Sequence, residues 1–438
     1  MKKIIYVICL IVMSSFQNAY SQDQTIKASE KLTLSDAISI SLKNNYDLII
    51  TQNSEKIAKI NNTWGNTTLM PTLDFSTSAQ GSKNYNSNED YKNLTFNPKI
   101  SLSWILFNGF SASINKANYV ELEKVSEGNT ALLVEITIQN IILSYNNSLL
   151  QKTVMNVYKE ISDLSYDRMK KAEIGKELGN VTSYNYLLYK TSYLEDYSNY
   201  LKQKVIYENS IRTLNYNMGA EDNKLWELTT PLVADTANYK LDVLSEKLKS
   251  NNQTLKNQYI NQNILGLKIK SAKNSNYPSL RLNASAMHNN AKTYYDGSTA
   301  DRSSHSNEVG AGLTFSWNIF NGGTKKRALQ IAKINAETGN VKIDQMLHSL
   351  TNQLIQLLSS YNTDKEVYNL SIERLKAAKL NLEISTDNYK NGIIDSFDYR
   401  DIQVYYLNAA IAKLKAAYSL IESKTDLMQI TGNIVSYK

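Results

Sequence analysis

The sequence predicts a mostly α-helical chain carrying a membrane β-barrel element, built as a tandem repeat. Three observations lead there. Two runs of roughly 65 residues keep helical patterning without a breaker, four short segments alternate apolar and polar residues, and the same landmarks recur at a near-constant offset. Composition agrees. Only 42% of the 438 residues are apolar and mean hydropathy is −0.39, which excludes a bundle of hydrophobic transmembrane helices. Four prolines and 16 glycines are too few for an all-β fold of many tight turns.

The same numbers restrict chemistry. One cysteine and three histidines leave little material for cysteine chemistry or a histidine-rich metal site, so no metal and no cofactor are expected. The formal charge of +7 is modest and spread along the chain, which gives nucleic acid nothing to hold. There is no nucleophile elbow, zinc motif or Gly-rich phosphate loop, so the chain does not read as an enzyme.

In order, Lys2-Lys3, an apolar run from Ile4 to Met13 and Ala19-Tyr20-Ser21 form a secretory signal peptide over 1–21. About ten apolar residues are too short to span a bilayer. Cleavage would remove Cys9, and with it any disulfide. Two copies of a repeat follow, at 22–225 and 240–438, joined by a connector at 226–239. Asn44-Asn45 recurs as Asn251-Asn252, and Met70-Pro71-Thr72-Leu73 as Tyr277-Pro278-Ser279-Leu280, both offset by 207. Leu102-Ser103-Trp104-Ile105-Leu106-Phe107-Asn108-Gly109 recurs as Phe315-Ser316-Trp317-Asn318-Ile319-Phe320-Asn321-Gly322, offset by 213, as are Gly219 and Gly432.

Each copy opens with a helix. In the first, Thr33 and Asp36 form a capping box and the helix runs to about Leu69, ended by Pro71 as Pro278 ends its counterpart. A β-hairpin follows, at about 72–107 and at about 279–319. Ile100, Leu102, Trp104 and Leu106 share one strand face, and Val309, Ala311, Leu313, Phe315, Trp317 and Ile319 another. Leu280, Leu282, Ala284 and Ala286 alternate likewise, and Leu73 and Phe75 more weakly. Such alternation marks a transmembrane β-strand, or equally a half-buried strand of a soluble sheet. The polar stretches Gln80–Asn97 and Met287–Glu308 read as long outer loops, with Pro98 just ahead of its strand. Trp104, Phe107, Trp317 and Phe320 sit at the opposite strand ends, where an aromatic girdle would lie at the membrane interface.

Long helices follow at about 111–174 and 324–391, then shorter ones at about 183–218 and 396–430 with Gly219 and Gly432 as C-caps. Sixty-five helical residues span about 95–100 Å, some three bilayer cores, and the mixed three- and four-residue apolar spacing suits packed coiled-coil-like helices. Trp64 and Trp226 read as packing. Four strands cannot close a barrel, and open sheet edges are not tolerated in hydrocarbon. Two chains would give eight strands around a filled lumen; three give twelve around a passage, so a homotrimer is expected. Both ends of each hairpin return to one side, so all helices continue the barrel as a tube.

The tandem repeat, the paired Leu-Ser-Trp-Ile-Leu-Phe-Asn-Gly and Phe-Ser-Trp-Asn-Ile-Phe-Asn-Gly segments, and Tyr389-Lys390-Asn391-Gly392 leading into Asp398 resemble the TolC-like outer membrane efflux proteins. The resemblance covers essentially the whole mature chain. It implies a trimeric duct in the outer membrane with a long periplasmic extension, taking cargo from an inner-membrane pump of the RND, ABC or similar class through a periplasmic adaptor. Efflux of small molecules is the expected use, with type I protein secretion as the alternative; an exported coiled-coil scaffold is the reading from another class. The resemblance also places rings of aspartates at the tip of the second repeat, at Asp398 and Asp401. Three apart on a helix, these share a face. It makes Tyr389 a tie of the closed tip, with Asn185 in the place of an acidic partner and Ile394 in that of a basic latch. Arg400 joins this gating group and, with Lys390, is the nearest counter-ion expected for the two aspartates. The first repeat has Asn185 and Leu188 at the equivalent positions, so the acidity is confined to one copy. His288 and His305 are expected to meet across the second hairpin as surface histidines, and Asp296 and Asp301 to be solvated loop acids.

Overall fold

The computed structural model describes residues 30–85, 90–295 and 302–436. The segment 1–21 and the loop acids Asp296 and Asp301 lie outside these residues. In chain order the elements are β1 (Glu30–Leu32), α1 (Leu34–Asn44), α2 (Tyr46–Asn61), β2 (Thr72–Asn84), β3 (Tyr91–Asn108), α3 (Ser111–Glu177) and α4 (Ser183–Met218), then β4 (Trp226–Leu228), α5 (Leu241–Asn251), α6 (Gln253–Asn274), β5 (Ser279–Tyr295), β6 (Arg302–Ser316), α7 (Thr324–Lys390) and α8 (Ser396–Ile430).

The first helix of each copy is two helices, not one. Thr33 and Asp36 do form the capping box, the Asp36 amide donating to Thr33 Oγ1 at 3.1 Å. The helix nevertheless stops at Asn45, whose extended backbone leaves its side chain free to accept from the Leu48 amide at 3.1 Å and start α2. Asn252 repeats this by accepting from the Leu255 amide at 2.9 Å. The helices end at Asn61 and Asn274, well short of Leu69 in the first copy, so Pro71 and Pro278 lie in the links to the strands and end neither helix.

The recurring Asn-Asn and Gly landmarks prove to be two halves of one contact. Asn45 Nδ2 donates to Asn217 O at 3.1 Å and Asn252 Nδ2 to Ile430 O at 2.9 Å. Gly219 and Gly432 both have φ of 65°, and a Cβ at either would meet the carbonyl of Asn44 or Asn251. Each copy thus docks its first helix break on its last helix end.

The four long strands form one antiparallel sheet in the order β2-β3-β5-β6. Strand pairing extends well into the stretches expected as outer loops, because those polar residues lie across from one another in register: Lys83 opposite Lys92, His288 opposite Asn307. β2 runs to Asn84, β3 starts at Tyr91, β5 runs to Tyr295 and β6 starts at Arg302; Pro98 falls inside β3, and β6 ends at Ser316 rather than 319. Pro98 lacks an amide to donate, and the β3–β5 pairing skips Asn97 and Pro98.

Register gives the sheet two distinct faces. Phe75, Ile100, Ala286 and Val309 form one row across the four strands, and Leu73, Leu102, Ala284 and Ala311 the next. On the other face the matching rows are Asp74, Ser101, Ser285, Gly310 and Thr72, Ser103, Asn283, Gly312. β2 and β6 each have an unpaired edge, so closure into a barrel needs further chains.

The helices α3 and α7, each of 67 residues, reach about 100 Å from the sheet. α2 packs along the half of α3 nearest the sheet and α4 along the far half. Where they hand over, Ala37, Ile141, Leu214, Met218 and Trp226 form a core with Leu32. β1 pairs in parallel with β4 there, a small sheet that the polar connector did not announce. Tyr145 pins it, its hydroxyl donating to Leu32 O at 2.9 Å and accepting from the Thr230 amide at 3.0 Å. Trp226 packs there as expected and donates Nε1–H to Asn215 Oδ1 at 2.6 Å. Tyr361 does the corresponding work in the second copy, donating to Ala237 O at 2.7 Å within a core of Leu248, Leu354, Leu420 and Leu427. Ile138, Ile142, Ile421 and Ile434 join the two copies. Each such aliphatic side chain contributes roughly 1.5–3 kcal/mol by burial. No helix among the described residues is long and apolar enough to cross a membrane.

Candidate functional site at the helix turns

Farthest from the sheet, α3 turns into α4 and α7 into α8. Gly179 and Gly392 supply the positive φ, 75° and 73°, that each turn requires. Thr182 then caps α4, accepting from the Asn185 amide at 3.2 Å. Asp395 caps α8, accepting from the amides of Phe397 at 2.8 Å and Asp398 at 2.9 Å. The positive end of the α8 dipole favours a carboxylate in the first turn, which Asp398 supplies, and Asp401 follows one turn on. Both are exposed.

Neither aspartate has Arg400 as counter-ion. Arg400 reaches across to the first copy instead, where Nη1 and Nη2 bind Asp196 Oδ2 and Oδ1 at 2.7 and 2.6 Å. The Asp196 side chain is 4% exposed and that of Arg400 21%. Ser165 on α3 donates a short hydrogen bond to the same carboxylate. Lys390, the other expected counter-ion, pairs with Asp387 at 3.4 Å. The reason is directional: on α8 the side chain of Arg400 is carried round the helix from those of Asp398 and Asp401 and points at α4.

The contacts that hold Tyr389 are with other tyrosines. Its ring stacks on Tyr399, 4.7 Å between centroids and 3° from parallel, and its hydroxyl pairs with Tyr189. Burial, then the Tyr189 hydrogen bond, pushes the Tyr389 phenol up to about 12. Tyr399 is itself fixed by Thr386, hydroxyl to hydroxyl at 3.1 Å. Arg168 lies over the other side of this group, its guanidinium carbon 5.7 Å from the Tyr399 ring. Burial first, and then the neighbouring Arg400, hold the Arg168 pKa below its usual value, and its Nε and Nη1 are buried without a hydrogen-bond partner. Asp196, Ser165, Arg168 and Tyr399 escape sequence reasoning because each is one polar residue among many on a long helix, with its partner up to 231 positions away.

At the other end of the helices, Trp104 donates Nε1–H to Leu69 O at 2.9 Å and Trp317 to Asn276 O at 3.0 Å, the same tie at the repeat offsets. Phe107 packs edge-on against Phe110, and Phe320 is 83% exposed just past β6. His288 and His305 do meet on the second hairpin, rings 6.3 Å apart and 13° from parallel, with Asn307 and Ser303 as partners. No group of three or more metal-ligating side chains forms among the described residues.

Residues 244–433 match the model of the Outer membrane efflux protein family. No curated protein matches the chain. Solved structures do so over nearly its whole length. The transmembrane-channel-forming CusC superposes with a TM-score of 0.71 at 15% identity, covering 95% of both chains. The Campylobacter jejuni CmeC outer membrane channel gives 0.71 at 17% identity, covering 95% of this chain and 90% of that one. The Vibrio cholerae outer membrane protein VceC gives 0.68 at 15%, covering 91% and 96%. Identity this low speaks for the fold alone. The second repeat therefore matches the Outer membrane efflux protein family in sequence, and nearly the whole chain shares the fold of these outer-membrane channels.

Proposed function

We propose that three copies close their sheets into a 12-stranded barrel in the outer membrane and continue it as a periplasmic helical duct. The duct passively conducts small molecules delivered by an inner-membrane pump and a periplasmic adaptor. One observation carries this reading above the rest. A sheet with one apolar face, one polar face and two unpaired edges sits at one end of helices about 100 Å long. In a soluble sandwich the apolar rows would be covered by a second layer, whereas here Val309, Leu313 and Phe315 are 83%, 65% and 64% exposed. A coiled-coil scaffold has no use for such a sheet.

At the far end, threefold symmetry would turn Asp398 and Asp401 into six carboxylates around the axis, attracting cations and repelling anions. Both side chains are exposed, and among the described residues neither has a cation partner, as such a ring requires. The test is planar-bilayer conductance of the purified trimer beside Asp398→Asn/Asp401→Asn. Discrete cation-selective steps that lose selectivity in the variant are expected. Steps with unchanged ion preference would remove the aperture from these residues, and a folded trimer that never conducts, even with its tip loosened, would remove the duct.

A further inference from the structure

The helices that adjoin the sheet keep the order of its strands. α2 leads into β2 and packs on α3, which leaves β3; α3 packs on α6, which leads into β5; and α6 packs on α7, which leaves β6. The row α2-α3-α6-α7 therefore ends where the sheet ends. Its outer members are α2, beside the free edge of β2, and the first half of α7, beside the free edge of β6. Both show apolar side chains to solvent. On α2, Tyr46, Ile50, Ile57 and Ile60 follow one another at the mixed three- and four-residue spacing of a coiled-coil seam, and all are at least 60% exposed. On α7, Ile331, Ile334 and Val341 keep the same spacing and are 59–64% exposed. Contiguous apolar surface of this kind marks a contact yet to be made.

The repeat supplies the template for that contact. At the offset of 207, Ile50, Ile57 and Ile60 correspond to Asn257, Ile264 and Leu267 of α6, none of which is exposed. At the offset of 213, Ile334 and Val341 correspond to Glu121 and Gly128 of α3. These counterparts meet inside the chain. Asn257 occupies the space over Gly128, where a Cβ would collide with its Oδ1, and donates Nδ2–H to Asn129 Oδ1 at 3.0 Å. Nearer the sheet, Asn263 donates Nδ2–H to Glu121 Oε2 at 3.1 Å. The face that α6 lays on α3 is thus the face that α2 leaves open, and the face of α3 that receives it is the one left open on α7.

We infer that α2 of one copy packs on α7 of a second copy in the way α6 packs on α3 within one chain, Ile50 against Val341 and, nearer the sheet, Ile57 against Ile334. The inference rests on the barrel reading above, since closing β6 of one copy on β2 of the next brings these two helices side by side. The junction between copies is then apolar where the junction inside the chain is polar. One covalent chain holds α6 beside α3 at high effective concentration whatever they share, whereas separate chains must be drawn together, which apolar burial does. Val341 also carries a side chain where Gly128 has none, so the helices of the junction between copies stand farther apart than the pair inside. The contact joins two different faces, and its repetition closes a ring.

The probe is a short bifunctional maleimide applied to membranes holding the full chain with Ile50→Cys/Val341→Cys, read on a denaturing gel. Cys9, the one native cysteine, is replaced in the same chain by Cys9→Ser. Covalent trimer is expected from the paired cysteines, and monomer alone from either single variant. Ile50→Asn, which puts the residue of the second copy at this place, should weaken assembly roughly tenfold or more per contact, measured by diluting the detergent-solubilised trimer. Covalent dimer from Ile50→Cys alone would set α2 against α2 and overturn the proposal. So would paired cysteines that give no cross-link in a trimer of normal yield, which would assign the two faces to another occupant. Should that pair impair assembly, Ile57→Cys/Ile334→Cys must still join the chains. If wild type does not enter lipid vesicles as a trimer, the barrel reading itself falls; a normal wild-type trimer without either cross-link removes only this seam.

Discussion

Removing one partner of the Asp196–Arg400 pair should loosen the helix turns far more than removing any other ion pair of the chain. Lys159–Asp163, with side chains 56% and 66% exposed, represents the ordinary case and is worth about 0.3–0.5 kcal/mol. Asp196 is 4% exposed, is held by both Arg400 nitrogens and takes the Ser165 hydroxyl as well. Deleting one side of such a pair strands a buried charge and costs about 3–5 kcal/mol. Asp196→Asn is the harsher change, because it leaves Arg400 beside Arg168, whose own charge burial already disfavours. The assay is a double-mutant cycle of Asp196→Asn and Arg400→Gln, read by hydrogen exchange of backbone amides near 165–200 and 385–405. Each single variant should speed exchange by at least about a hundredfold. The double variant should be no worse than the harsher single one, since it leaves no stranded charge. Single-channel conductance should rise in parallel. Additive effects, with coupling below about 0.5 kcal/mol, would refute the argument that this pair holds the two copies together at the tip.

Leu313→Arg puts a charge at the centre of the apolar face, at a cost of about 2–4 kcal/mol in a bilayer, and should abolish outer-membrane trimers on a heat-modifiability gel; normal yield would show that this face does not meet lipid. Gly432→Ala must adopt φ of 65° and place its Cβ 2.7 Å from Asn251 O, whereas at Gly392 the space is open, so the first should lower the denaturation midpoint clearly and the second by no more than the left-handed backbone cost of about 1–2 kcal/mol. Equal effects would mean that the helix break and helix end are not in contact. Glu422 is raised above the ordinary carboxyl value of 4.5 by burial, then by Asp426 and Asp364. A raised folded value means that the folded state holds the proton more tightly, so stability is lost as pH rises from 4.5 through the folded value. Glu422→Gln should therefore stabilise the protein at pH 7 and make no difference below pH 4, measured by thermal unfolding at both.

Legibility in the sequence follows the range of the interactions. The long helices could be placed within a few residues because nothing in Ser111–Glu177 or Thr324–Lys390 stops a helix, and the caps Thr182 and Asp395 are local. The sheet faces were legible because period-two alternation survives in a strand wet on one side. Strand lengths were not: residues 80–84 are polar, like a loop, and 91–97 carry only Leu94 and Phe96 among polar neighbours, so that pairing across the hairpin is what makes them strand. The break at Asn45 was hidden because an asparagine cap competes with an otherwise good helix, although its recurrence at Asn252 was visible. At the tip, the exposure of Asp398 and Asp401 on one helix face could be read from their spacing, while the ion pair behind them could not. Asp196 and Arg400 lie 204 positions apart, with no local mark on either.

The duplication also shows where the two copies had to stay alike and where they were free to differ. Away from the turns the ties are kept residue for residue: Asn45 and Asn252 on the last helix, Gly219 and Gly432 under the break, and, at the sheet, Trp104 and Trp317 on the chain ahead of the strands. The first two ties fix where the first helix break of each copy sits on its last helix end, and the third fixes the chain that enters the shared sheet. At the turns the glycine and the cap are shared, Gly179 with Gly392 and Thr182 with Asp395, but the charged contacts are not. The position equivalent to Asp196 is Ala409, 1% exposed, and that equivalent to Arg400 is Leu187, 58% exposed. Asn185 and Leu188 stand where the second copy has Asp398 and Asp401. The ion pair therefore runs one way only, from the second copy's α8 into the first copy's α4, and has no twin across the repeat. A displacement of the α7–α8 turn must break it, whereas the α3–α4 turn beyond Asp196 can bend without doing so. The pair thus resists displacement of the α7–α8 turn in the copy that carries the exposed aspartates.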